Sequence, residues 1–86
     1  MFYTLTNTKD GSRQERVNLA AFPFCDGFGP REPRTVEEGM AGFYAATVTK
    51  KADPDTLHRY AKDVRSDGTR FYIGPYVAIS TEANGH

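Results

Sequence analysis

The sequence contains no tryptophan and one cysteine, Cys25. A lone thiol cannot close an intrachain disulfide, so packing must hold the fold together, and a reducing compartment is expected. Net charge is also absent, because 11 basic side chains balance 11 acidic ones. That excludes a global field drawing the chain to DNA, RNA or anionic lipid; such contact would need a local patch. Neutrality gives little protection against self-association, so a homodimer is compatible with it. No apolar run approaches the roughly 20 residues that span a bilayer, and no membrane contact is expected. Met1-Phe2-Tyr3-Thr4-Leu5 lacks the basic start and long apolar stretch of a signal peptide. The expected location is the cytoplasm.

Reactive constellations are equally scarce. Cys25-Asp26 with His58 or His86 would supply a thiol and a base, but no local context orients them. One cysteine and two histidines cannot complete a structural zinc site. Asp53 and Asp55 fit a helix start and Asp67 a turn, and no calcium-type loop surrounds them. Gly27-Phe28-Gly29 lacks the Lys-Ser/Thr pair of a phosphate loop. The expectation is a protein without catalytic, cofactor-binding or metal-binding residues.

What the chain does have is room for one domain. Its 86 residues are 38% hydrophobic and 26% charged, too apolar for a disordered tail. A core this small leaves a stability of roughly 3–5 kcal/mol. The 6 Phe and 5 Tyr must supply much of it.

Phe2 to Thr6 reads as a strand, with Phe2, Thr4 and Thr6 on one face and Tyr3 and Leu5 on the other. Asn7 to Gly11 is a turn, and Arg16 to Phe22 returns as a second strand, with a helix over 13–21 as the competing reading. Pro23 to Arg34 holds three prolines and two glycines, which excludes a helix or a central strand. Thr35-Val36-Glu37-Glu38 is a capping box opening a helix from Val36 to about Ala46, with a strand over 43–50 as the competing reading because Tyr44, Ala46 and Val48 alternate. Asp53-Pro54-Asp55 opens a second helix. Leu57, Tyr60, Ala61 and Val64 form its apolar stripe, and Ser66-Asp67-Gly68 is expected to end it. Thr69–Ile73 and Tyr76–Ser80 are strand-like around Gly74-Pro75, either as one kinked edge strand or as two short strands joined by a turn. The pattern predicts an α+β domain over residues 1–80, with three to four antiparallel strands in the order β-β-α-α-β(-β) and both helices on one face. Residues 81–86 are expected to fray.

Two surfaces stand out. Lys50, Lys51, Arg59, Lys62, Arg65 and Arg70 cluster in sequence, and Tyr72 and Tyr76 could interleave as stacking platforms for nucleic acid. The aromatics also exceed what one small core readily hides. A remainder including Phe24, Phe28 and either Tyr72 or Tyr76, rimmed by Arg31 and Arg34, has the composition of a protein interface. The leading expectation is therefore a non-enzymatic protein-binding module that sterically blocks a larger host protein or ribonucleoprotein complex. Small inhibitors from phages and mobile elements, such as anti-CRISPR proteins, share this size and character, though no motif is matched. Expected contact residues are Phe24, Phe28, Arg31, Arg34, Arg59, Lys62, Arg65 and Tyr72. The alternative is a small nucleic-acid-binding or regulatory protein using the basic 50–70 segment.

Overall fold

The computed structural model describes residues 2–25 and 28–80. The tail expected to fray, 81–86, lies outside them, as do Asp26 and Gly27. Strand β1 (Phe2–Asn7) turns back into β2 (Arg13–Asn18), and a short 3-10 turn (Leu19–Ala21) follows. Two-residue strands β3 (Phe24–Cys25) and β4 (Pro30–Arg31) precede helix α1 (Val36–Tyr44). A π-helical turn (Ala45–Thr49) leads to α2 (Pro54–Asp63). Strands β5 (Arg65–Ser66), β6 (Arg70–Ile73) and β7 (Tyr76–Ser80) complete the described fold.

The main sheet is antiparallel and five-stranded, in the order β2-β1-β7-β6-β5, while β3 and β4 pair separately. The α+β class is as expected from the sequence, but the strand count is higher. Both surplus sources are short. Arg65 and Ser66 leave the helical path because Val64 turns extended (φ −66°, ψ 128°), and they pair with Tyr72 and Phe71. Gly68 does take a positive φ of 96°, but in the β5–β6 turn rather than at a helix end. The proline-rich stretch forms β3 and β4 because a two-stranded ribbon leaves Pro30 without a central-strand role. The second strand begins and ends earlier than its alternation suggested, and Leu19 to Ala21 curls away instead of extending.

Both helix starts have a chemical cause. Asp53 accepts from the Thr56 N–H at 3.2 Å and Pro54 opens α2. Thr35 accepts from the Glu38 N–H at 3.2 Å. The reciprocal arm of that cap differs from expectation: the Glu38 carboxylate reaches past Thr35 to the N–H of Arg34, at 2.8 Å. Helix α1 stops at Tyr44, two residues short of expectation, and the wider π turn carries the chain to Lys50 (φ 59°).

One sheet face is covered. Leu5, Ala78 and Ile73 pack with Leu19, Met40 and Phe43, joined by Tyr3, Val17, Phe71 and Tyr76. Phe43 meets Phe22 and Tyr76 edge-on, with ring centroids 5.4 and 5.1 Å apart. A second buried cluster (Phe24, Ala41, Ala45 and Leu57) seats β3 against both helices. Each fully buried large side chain contributes about 1.5–3 kcal/mol.

Gly42 sets how closely α1 approaches the strand-like segment at Phe22. A Cβ there would lie 3.0 Å from the Phe22 carbonyl oxygen and 3.1 Å from that of Pro23. Backbone cannot retreat as a flexible side chain would. Gly42→Ala should therefore lower the unfolding free energy by about 1–3 kcal/mol by overpacking, despite alanine's better helix propensity. Denaturant melts test this, and a stabilised variant would show that α1 is free to shift.

Candidate docking surface

Side chains alternate across a strand, so every residue not on the helix side of the sheet shares the opposite face. Pairing of Thr4 with Ile79, and of Ile79 with Arg70, gives one row. Arg13, Thr6, Val77, Tyr72 and Arg65 give the next, paired in that order. Phe2 lies beside Asn18 at the end of β1. Phe2, Val77, Ile79 and Tyr72 belong to neither buried cluster, and each is half-buried. A solvated sheet face normally alternates to polar residues. Here the centre stays apolar or threonine.

The flanks are arginine. A β-bulge in β2, between the Tyr3 and Leu5 pairings, places an extra residue in that strand, and Arg16 adopts φ 56° there. Its guanidinium sits over the Phe2 ring, 5.5 Å from the centroid. Arg13 lies on the same edge strand, where Glu15 pairs with it at 3.3 Å in an exposed contact. On the far side stand Arg70 and Arg65. The five strands of this sheet together carry four arginines and one glutamate.

Asp67 organises that far side. Its carboxylate accepts from the N–H groups of Arg70 (2.8 Å) and Thr69 (3.0 Å) and from the Tyr72 hydroxyl (3.0 Å). These bonds hold its carboxyl below the usual range. The β5–β6 turn and the Tyr72 ring are thereby fixed together. At the opposite end, Thr8 donates its N–H and hydroxyl to the Pro75 carbonyl, both at 2.8 Å, tying the β1–β2 and β6–β7 turns.

The structure distributes the contact residues expected from sequence over separate surfaces. Tyr72 and Arg65 stand side by side on the uncovered sheet face. Arg65 is no part of a helical face with Arg59 and Lys62, because α2 ends at Asp63; those two are exposed on α2. Tyr76 lies on the other side of the sheet from Tyr72, its ring against Phe43 and Tyr44, so the two cannot form one stacking platform. Phe24 is 1% exposed and cannot be a contact residue. Arg31 is folded onto that ring (5.0 Å) and makes a two-pronged ion pair with Glu38, at 2.9 and 3.0 Å. Phe28, at 98% exposure, and Arg34 do face outward. Sequence reasoning missed Phe2, Arg13, Arg16, Val77 and Ile79. The Phe2/Thr4/Thr6 alternation was the available signal.

Elsewhere, a surface hollow of about 210 Å³ is lined by Ala20, Ala21, Pro23, Pro30, Arg31 and Glu32. It is smaller than typical ligand pockets of about 300–1,000 Å³, and its arginine is committed to Glu38. Among the described residues no three His, Cys, Asp or Glu side chains converge. No described helix is long and apolar enough to cross a membrane. Compared with known protein families, curated proteins and solved structures, the chain matches none.

The Arg31–Glu38 pair is a stability element, with both side chains 21% exposed. The Arg31 hydrogen bonds hold the Glu38 carboxyl below its ordinary value of 4.5. A depressed carboxyl stabilises the fold above its unfolded value and loses that contribution as pH falls through its folded one. Glu38→Gln should cost about 1–2 kcal/mol at neutral pH, and the gap to wild type should close below pH 4.5. Urea melts across that range check it; a gap independent of pH would contradict it.

Proposed function

We propose that this protein is a non-enzymatic binding module that docks an acidic protein surface on the uncovered face of its five-stranded sheet. The observation that carries the reading is the apolar band of Thr6, Val77, Tyr72 and Ile79 held between arginines on both sides. Interface centres favour Tyr, Phe and Arg, and arginine suits paired carboxylates through its planar fork. The basic 50–70 segment supports a nucleic-acid reading less well, since its members divide between a loop, the outside of α2 and the sheet.

The finer reading is steric. A chain of 86 residues that covers a functional surface of a larger complex inhibits by occupying it, as small phage or mobile-element inhibitors do in the cytoplasm. Phe28 and Arg34, both exposed, offer further contacts.

A photo-crosslinking amino acid placed at Thr6 or Val77, expressed in the producing cell, should give one discrete adduct. Arg13→Glu with Arg65→Glu should abolish it while the circular dichroism stays native. The same probe at Arg59 or Lys62 should give none. Adducts from α2 alone would place the working surface elsewhere.

A further inference from the structure

Resting on that reading, we infer that the occupant of the open face is an amphipathic helix of the partner, with an apolar stripe flanked on both sides by acidic residues. Neighbouring strands lie about 4.8 Å apart, so the β2 arginines stand about 14 Å from Arg70 and about 19 Å from Arg65. An α-helix with its side chains is about 10–12 Å across. One helix laid along the strands fills the band and leaves room for acids on each flank to meet Arg13 and Arg16 on one side and Arg65 and Arg70 on the other. The result is a helix–sheet–helix sandwich, in which the partner supplies a layer that the described residues do not.

Three observations favour a helix over other occupants. Strand addition needs a long, regular edge, but β2 is bulged at Arg16 and β5 has only two residues. Single-stranded nucleic acid needs open rings for its bases. Among the described residues this face has two rings, Phe2 and Tyr72, and the first is capped by Arg16. Between them the surface is Thr4, Thr6, Val77 and Ile79, which suits aliphatic side chains. A second copy of this chain would bring four arginines against four of the same kind.

The experiment titrates the intact protein with labelled helical peptides of about 18 residues, about 27 Å long. One carries a leucine stripe flanked by glutamates and the other the same stripe flanked by lysines. A labelled oligothymidine serves as the third probe. Fluorescence anisotropy should show binding of the glutamate peptide only. Affinity should fall as salt rises, and by roughly tenfold or more in Arg13→Glu/Arg65→Glu. Amide shifts should centre on β1, β6 and β7. Tighter binding of the oligothymidine, equal binding of the lysine peptide, or no peptide binding would overturn the inference. So would a concentration-dependent dimer that protects the same amides. If the Thr6 and Val77 cross-links persist alongside such a result, the helix is wrong and the docking face stands. If they vanish as well, the face itself is wrong.

Discussion

The ring of Phe43 joins three distant parts of the chain. It stands on α1, meets Phe22 just after the 3-10 turn, and meets Tyr76 at the start of β7. Tyr76 in turn touches Tyr44, and Tyr44 packs against Tyr60 of α2. This chain of edge-on rings draws the helices onto a single face of the sheet. The two α-helices are nine and ten residues long. Once both have been committed to the same side, no described helix is left for the other. The geometry that builds the core therefore also creates the uncovered face on which the functional reading rests.

The overall neutrality of the composition conceals how charge is arranged. The sheet strands hold Arg13, Arg16, Arg65 and Arg70 against Glu15, whereas on the helices Glu37, Glu38, Asp55 and Asp63 outnumber Arg59 and Lys62. Three acids near the sheet offset part of that charge. Asp10 caps its own turn through the Ser12 N–H, Glu15 pairs with Arg13, and Asp67 fastens Tyr72. A local field can thus exist in a molecule with no global one, and its reach is limited to about a Debye length, roughly 8–10 Å at ordinary salt. Such a field orients a partner at contact and does little to recruit it from afar.

Local chemistry was legible in the sequence, and distant pairing was not. Asp53-Pro54, Thr35 and the Asn7–Gly11 turn each act within a few residues, and each appears where its chemistry dictates. The apolar stripe of α2 was readable for the same reason. Two kinds of information were hidden. Arg65 sits at helical spacing after Arg59 and Lys62, yet pairing with Tyr72 across a turn outweighs helix propensity there. The fates of Phe24 and Arg31 depend on Leu57 and Glu38, which come from separate elements. Of the proposed docking face, Tyr72 and Arg65 could be named in advance as residues. That Phe2, Arg13, Arg16, Val77 and Ile79 join them follows only once β7 is known to lie between β1 and β6.

That placement has a consequence for how the molecule comes into being. The middle of the sheet is made by β1 and β7, and Tyr3 is paired with Ser80. The β1–β2 hairpin keeps a vacant inner edge until β7, far along the sequence, has been made. Closing so large a loop is entropically slow. Until β7 arrives, β1 exposes both an apolar side and unpaired backbone, the kind of surface that invites misassociation in a growing chain.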